Sequence, residues 1–135
     1  MPRQLDAQTM VAGQIDPATL PDLKAQGVTM IINNRPDHED PGQPTSAEME
    51  IAAEACGLHY AHVPIARGMG PSDIEAMRGA LHEAGDGKVL AYCRSGGRSV
   101  LAWAVAKSAD GVPRAELEAS ADRAGFNLEP VAHLL

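Results

Sequence analysis

The sequence predicts an α/β domain with three layers, in which helices flank a mostly parallel sheet of four to five strands. Two observations support this prediction. Short apolar, β-branched runs alternate with helix-length segments, and most helical segments are bounded by capping residues, proline or glycine. Strands that are apolar along their whole length are typical of a parallel sheet buried on both faces. The 135 residues show no repeat, linker or low-complexity tract, so we interpret 1–135 as a single domain.

The first half of the chain carries clear helix start signals. Asp16 before Pro17 is typical of an N-cap followed by proline at the first helical position. Thr45 with Glu48 three residues later forms a capping box. The expected elements are a strand at 10–13, a helix from Asp16 to Gly27, a strand at 28–32, a helix from Thr45 to Gly57 and a strand at 58–65.

The second half repeats the alternation. Ser72 with Glu75 suggests a second capping box, and Lys88–Tyr92 is a strand bounded by the glycine-rich segment that follows it. The expected elements are a helix from 72 to Gly85, a strand at 88–92, a helix at 98–109 and a last helix from about Pro113 to Gly125.

Composition excludes several functions. At 44% hydrophobic residues the chain can bury a core without metal or disulfides. The net charge of −7, with no cluster of Lys or Arg, argues against nucleic-acid binding. Neither a secretory signal nor a membrane-length apolar run is evident, so we expect a cytoplasmic protein that does not enter the membrane. Cys56 and Cys93 lack CxxC spacing, so we expect no metal, and we expect no cofactor.

The segment after the strand 88–92 combines the features of an anion-binding loop. It reads Cys93, Arg94, Ser95, Gly96, Gly97, Arg98 and Ser99. The two glycines allow successive N–H groups to point inward, and the following helix adds its free N–H groups and dipole. Arg98 offers a guanidinium fork for a tetrahedral oxyanion, and all of these groups favour a thiolate at Cys93. We therefore predict Cys93 as an activated nucleophile.

This loop resembles the active-site loop shared by rhodanese sulfurtransferases and cysteine-dependent phosphatases. With Gly13-Gln14-Ile15 and the segment 31–37, which ends in Asn-Arg-Pro-Asp, the chain resembles the phosphatase-like domain of beta-lactamase hydrolase-like proteins over nearly its full length. The resemblance implies a fold like that of dual-specificity phosphatases, with Cys93 as nucleophile and Arg98 as anion clamp. It leaves the reaction open, because the family carries both phosphatase and sulfur transferase labels.

Three departures from the phosphatase pattern favour sulfur transfer over phosphoryl transfer. Four residues separate Cys93 from Arg98, as in rhodaneses, whereas protein phosphatases have five. The segment 66–71, where the phosphatases resembled here carry an acidic residue, has none, and Tyr92 replaces the histidine that precedes the cysteine in phosphatases. A sulfite or thiolate leaving group needs no general acid, whereas an alkoxide does.

We therefore expect a sulfurtransferase that takes sulfane sulfur from thiosulfate or a glutathione persulfide. The sulfur would form a Cys93 persulfide and pass to an acceptor thiol such as glutathione. Arg94 and Arg98 would bind the anionic group, and Ser99 would hydrogen-bond the sulfur. Family fusions to metallo-beta-lactamase-like hydrolases imply a persulfide dioxygenase as partner. The alternatives are a phosphatase that forms a phosphocysteine and a non-catalytic anion-binding module.

Other polar residues have a structural as well as a functional interpretation. Arg35 and Asp37 follow a strand at the active edge, where they would add positive field and a proton donor or simply form a turn. Arg67 is a similar candidate. We expect Asp37, Glu39 and Asp40 to be solvated rather than to bind metal. His59 and His62 should point to opposite faces of a strand, and Cys56 is expected to fill space in the core, with a role as resolving thiol as the alternative.

Overall fold

The computed structural model describes residues 2–135. Within that range the strands are β1 (Arg3–Gln4), β2 (Thr9–Ala12), β3 (Val28–Asn33), β4 (His59–His62) and β5 (Lys88–Tyr92). The α-helices are α1 (Leu20–Ala25), α2 (Ser46–Ala55), α3 (Pro71–Ala84), α4 (Gly97–Ala109) and α5 (Arg114–Ala124). Two segments, Pro17–Thr19 and Glu129–Leu134, form 3-10 helices.

The sheet has the predicted architecture. Its strand order is β1-β2-β5-β3-β4, and every neighbouring pair is parallel except β1 with β2. Side chains of α1 and α2 pack on one face of the sheet, and those of α3, α4 and α5 form the larger core on the other. The predicted α/β fold with three layers is thus confirmed. Because β2, β3, β4 and β5 are parallel, their carboxyl ends meet at one edge, where ligands bind in such sheets.

Two strands differ from the prediction. β1 was not expected, because its two residues are exposed and carry no apolar pattern; its backbone pairs Arg3 with Val11. The strand expected at 58–65 is shorter, and only His59–His62 belongs to β4. The residues that follow leave the sheet but stay attached to the next loop, because the Ile65 N–H donates to the Asn34 carbonyl at 2.9 Å.

The helix start signals were mostly correct. The Asp16 carboxylate accepts the Ala18 N–H at 2.9 Å, although the first turn is a 3-10 helix. The Thr45 capping box is present. The second capping box was wrong, since α3 begins at Pro71 and the Asp73 carboxylate accepts the Gly70 N–H at 2.9 Å. Proline needs no N–H partner, so it takes the first position and moves the cap upstream.

The larger core forms around α4, the most buried helix. Its Trp103 is 2% exposed and packs with aliphatic side chains of the sheet and of the neighbouring helices. Because α4 begins directly after the Cys93 loop, this packing fixes the helix N-terminus against the sheet edge. Within residues 2–135 no helix is long and apolar enough to cross a membrane.

Candidate active site

The Cys93 loop lies at the carboxyl edge of the sheet. Cys93 follows β5 directly, and its N–H donates to the Ala12 carbonyl at the end of β2, at 3.2 Å. The chain then turns at Gly96, whose φ of 95° lies in the left-handed region that favours glycine. This turn aims the Gly96 N–H at the Cys93 Sγ, 3.1 Å away. The loop therefore forms the predicted nest of amides.

The surroundings of Cys93 favour its thiolate. The side chain is fully buried, and burial alone raises the pKa of the thiol. The backbone N–H groups of Ser99, Ser95 and Gly96, together with the Ser99 hydroxyl, outweigh this effect and hold the pKa of Cys93 below its ordinary value. The N-terminus of α4 acts in the same direction. The Ser99 hydroxyl itself is buried and forms no hydrogen bond within residues 2–135, so it is free to turn toward Sγ.

Arg98 forms a bidentate ion pair with the carboxylate of Glu39. Its Nη1 and Nη2 donate to the two oxygens of Glu39, each at 2.7 Å, and Nη1 also donates to the Ile65 carbonyl at 2.8 Å. Glu39 is exposed, as expected, but it is not simply solvated, because its side chain is 26% exposed and pairs with the predicted anion clamp. The hydrogen bond from Arg98, with further contributions from Arg35, lowers the pKa of Glu39 to about 2 despite partial desolvation.

The buried Arg35 pairs with Glu39 and Asp40, the two carboxylates of the loop that follows β3. Arg35 is 4% exposed, its Nε donates to Glu39 at 2.9 Å, and its Nη1 donates to Gln14 at 2.9 Å. Its Nη2 pairs with Asp40, which also lies 3.2 Å from the Nε of Arg94. Asp40, like Glu39, was expected to be solvated and is instead paired. Arg35 thus organises the loop and adds positive charge behind it.

The other predicted residues occupy different positions. The Asp37 carboxylate accepts the Ser46 N–H at 2.7 Å and so holds the start of α2. Arg67 is exposed and forms no hydrogen bond or ion pair among residues 2–135. His59 is exposed, whereas His62 is half-buried and its Nε2 lies 2.9 Å from the Arg35 carbonyl. His62 therefore supports the loop after β3.

Cys56 is half-buried and packs against the core on the α1 and α2 face. It follows α2 at the end that precedes β4, opposite the edge where Cys93 lies. This position agrees with space filling and does not suit a resolving thiol. Both cysteines are free, and among residues 2–135 no three His, Cys, Asp or Glu side chains gather as a metal site.

Three residues that sequence reasoning did not select also shape the site. Gln14 binds Arg35, and Glu39 binds Arg98. Gly13 lets the loop approach β2, because a Cβ at that position would lie 2.9 Å from the Arg94 carbonyl oxygen. Two signals pointed to Gly13 and Gln14: they belong to a segment that carries the family resemblance, and they follow β2 at the same sheet edge as Cys93.

Comparisons with known proteins identify the family. The model of the phosphatase-like domain of beta-lactamase hydrolase-like proteins matches residues 2–110. The beta-lactamase hydrolase-like protein of Agrobacterium fabrum is 35% identical over 130 residues, which cover 93% of this chain and 29% of that protein. A Xylella fastidiosa protein of the same name is 33% identical over 126 residues and also matches over 29% of its length. The chain therefore spans less than a third of the curated relatives it matches.

Solved structures agree with this assignment. A candidate phosphatase from Neisseria meningitidis is 34% identical with a TM-score of 0.79, and the match covers 98% of this chain and 94% of that one. A kinase-associated phosphatase, solved with its catalytic-site cysteine replaced by serine, has a TM-score of 0.68 at 18% identity, with coverage of 88% and 79%. The latter shares the fold alone, and it confirms the predicted cysteine-phosphatase-like architecture. The relatives favour the phosphatase alternative over the expected sulfurtransferase. The chain belongs to the beta-lactamase hydrolase-like protein, phosphatase-like domain family.

Proposed function

We propose that the domain is a cysteine-dependent phosphatase that hydrolyses small phosphomonoesters through Cys93. The observation that carries this proposal is the amide nest around Sγ, which lowers the pKa of Cys93 although the thiol is buried. A thiolate in a nest that ends at a guanidinium matches the needs of nucleophilic attack on an anionic substrate. The phosphatase-like family supports phosphorus as the atom attacked.

The proposed reaction has two steps. The Cys93 thiolate attacks phosphorus, an S–P bond forms, and the ester P–O bond breaks so that its oxygen leaves with the bonding pair. Water then attacks phosphorus, the S–P bond breaks, and inorganic phosphate, a proton and the thiolate are released. Arg98 and the loop amides would stabilise the equatorial oxygens in both transition states.

The carboxylates at the sheet edge restrict the leaving group. Glu39, whose pKa is about 2, is ionised at neutral pH and has no proton to give. Asp40 is paired with Arg35 and Arg94, and Asp37 accepts the Ser46 N–H. We therefore expect the substrate to release a group that is stable as an anion, such as a phenolate, because an alkoxide needs a general acid.

Sulfur transfer is the second candidate, favoured by the four residues between Cys93 and Arg98. In that reaction the thiolate attacks the outer sulfur of thiosulfate, an S–S bond forms, and sulfite leaves. An acceptor thiolate such as glutathione then takes the outer sulfur and regenerates the Cys93 thiolate. For this candidate we also propose that the domain works with a metallo-beta-lactamase-like persulfide dioxygenase and that it lies in the cytoplasm.

The two candidates are separated by one pair of measurements on the same preparation. Phosphate release from para-nitrophenyl phosphate, inhibited by vanadate and absent in Cys93→Ser, supports the phosphatase. The opposite result is a gain of one sulfur atom in the intact mass after incubation with thiosulfate, absent in Cys93→Ser, with no phosphate release. That result would make sulfur transfer the better-supported function. If the protein shows neither activity and the thiol pKa of Cys93 is ordinary, the domain is a non-catalytic anion-binding module.

A further inference from the structure

We propose that a small cavity between α4, α5 and the turn that joins β1 to β2 binds a small zwitterion, a molecule with a carboxylate and an ammonium group such as a free amino acid. The cavity has a volume of about 160 Å³. Its polar and apolar lining includes Asp6 from the turn, Trp103 and Lys107 from α4, and Glu116, Leu117 and Ser120 from α5. Because Asp6 precedes β2, the cavity lies toward the amino ends of the parallel strands, opposite the edge that carries Cys93. The proposed site is therefore separate from the Cys93 loop and does not depend on the proposed function.

The indole N–H of Trp103 is a buried donor without an acceptor. Trp103 is 2% exposed and lines the cavity, and its Nε1 has no hydrogen-bond partner within residues 2–135. An indole nitrogen can only donate, and a buried donor left unpaired costs more free energy than an ordinary hydrogen bond contributes. Most buried polar groups in proteins therefore have a partner. A ligand that brings an oxygen acceptor into the cavity would supply the partner that Trp103 lacks.

The charged side chains around the cavity favour a ligand that carries both signs of charge. Lys107 lies four residues after Trp103 on α4, so the two side chains share one face of the helix. In the described part of the chain, Lys107 forms no ion pair or hydrogen bond, and neither Asp6 nor Glu116 has an ion-pair partner. Lys107 and the indole N–H together suit a carboxylate, whereas Asp6 and Glu116 suit an ammonium group.

The size of the cavity restricts the ligand. A volume of 160 Å³ corresponds to about five water molecules, at roughly 30 Å³ each. Pockets for drug-sized ligands are larger, typically about 300–1,000 Å³. Leu117 and the half-buried Val112 add an apolar wall that suits a short aliphatic side chain. We therefore expect an amino acid as small as glycine, alanine or serine, and the rival interpretation is a cavity that holds only water.

The indole signal of Trp103 in a proton–nitrogen correlation spectrum tests the proposal. Trp103 is the only tryptophan in the sequence, so isotope-labelled protein gives a single indole cross-peak. The probes are glycine, L-alanine and L-serine. Acetate and methylammonium, which each carry one half of the zwitterion, are compared at the same concentration, pH and ionic strength.

Two variants remove one charge each. Lys107→Met keeps most of the aliphatic side chain, and its control is Lys88→Met, an exposed position at the start of β5. Glu116→Gln changes an exposed side chain of α5, and its control is Glu118→Gln on the same helix, outside the cavity. Because Glu116 is exposed, Glu116→Gln tests the ammonium half of the site even if Lys107→Met fails to fold.

We expect at least one of the three amino acids to shift the indole signal saturably, with a dissociation constant of about 1 mM or lower, an affinity that so few atoms can provide. Acetate and methylammonium should bind at least about tenfold more weakly. Lys107→Met should weaken binding by about tenfold and Glu116→Gln by about threefold, since an exposed charge contributes less, and the control variants should match wild type.

Three results would overturn the proposal. The first is the absence of a saturable shift with any of the amino acids, which would indicate a cavity that holds only water. The second is acetate or methylammonium binding as tightly as the amino acids, which would indicate a site for a single charge. The third is wild-type affinity in a folded Lys107→Met or in Glu116→Gln, which would place the ligand elsewhere.

Discussion

Replacing Gly13 by alanine tests how closely the Cys93 loop depends on the strand beside it. The added Cβ would lie 2.9 Å from the Arg94 carbonyl oxygen and 3.6 Å from the Ser95 Cα. The first distance is too short for a carbon and a backbone oxygen, and neither atom belongs to a flexible side chain. The loop must therefore move away from β2 by several tenths of an ångström, as far as the packing of α4 allows.

The expected cost follows from this overlap. Overpacking of this kind typically costs about 1–3 kcal/mol, and Gly13 has no left-handed φ that would add strain. We expect Gly13→Ala to lower the free energy of unfolding by about 1–2 kcal/mol, measured by urea denaturation with an unchanged m-value. Because the displaced loop carries the amides that face Sγ, we also expect the pKa of Cys93, read from the pH dependence of iodoacetamide alkylation, to rise toward its ordinary value.

Gly79→Ala is the matched control. Gly79 lies within α3, and a Cβ there meets no atom within 4 Å, so the same substitution should stabilise the helix by about 0.5–1 kcal/mol. It should leave the reactivity of Cys93 unchanged. If Gly13→Ala is as stable as wild type and its Cys93 reacts normally, the loop does not depend on its close approach to β2, and this reasoning is wrong.

Three further predictions concern charge in the site. The pKa of Glu39 is about 2 in the folded protein against an ordinary 4.5, so its contribution to stability is complete above pH 4.5 and is lost as the pH falls toward 2. In urea unfolding, the free energy of Glu39→Gln should lack this part of the pH dependence. The same dependence of unfolding free energy on pH in wild type and variant would contradict the prediction. Ser99→Ala should raise the alkylation midpoint of Cys93, because the hydroxyl lowers its pKa, and an unchanged midpoint would exclude that role. Arg35→Met should lower the free energy of unfolding by about 2–4 kcal/mol in urea denaturation, because two carboxylates lose a buried partner; a loss below that range would show that they rehydrate freely.

The layered fold could be predicted because its signals are local. Asp16 with Pro17 and Thr45 with Glu48 mark helix starts within four residues, and β3 and β5 are apolar along nearly their whole length. β1 lacked such a signal, because Arg3 and Gln4 are exposed and carry no apolar pattern, and their backbone pairing with β2 leaves no mark in the sequence. The start of α3 was misplaced because two overlapping cap patterns compete there and Pro71 decides between them.

The same distinction applies to the site. The amide nest could be predicted because all its parts are contiguous from Cys93 to Ser99. The ion pair of Arg98 with Glu39 could not, since the two residues are 59 positions apart and no local pattern links them. The Arg98–Glu39 pair also requires the loop after β3 to reverse direction. His38 adopts a φ of 63° in this loop, a conformation that no simple propensity rule predicts for histidine at this position.

Under the proposed function, a protein of net charge −7 must hold an anion, and the charges of the site explain how it could do so. Arg35, Arg94 and Arg98 face the carboxylates of Glu39 and Asp40, so three positive charges oppose two negative ones. The single positive charge that remains is balanced by the Cys93 thiolate. A substrate anion would therefore enter a cluster that is close to neutral, and its stabilisation would come from oriented N–H groups: the N–H groups of Arg98 that Glu39 and Ile65 do not use, the loop amides and the N-terminus of α4. Affinity in such a site depends on the position of the loop more than on the number of charges. Gly13, which follows β2, and the Glu39 carboxylate paired with Arg98 are therefore expected to matter as much to the proposed function as the arginines themselves.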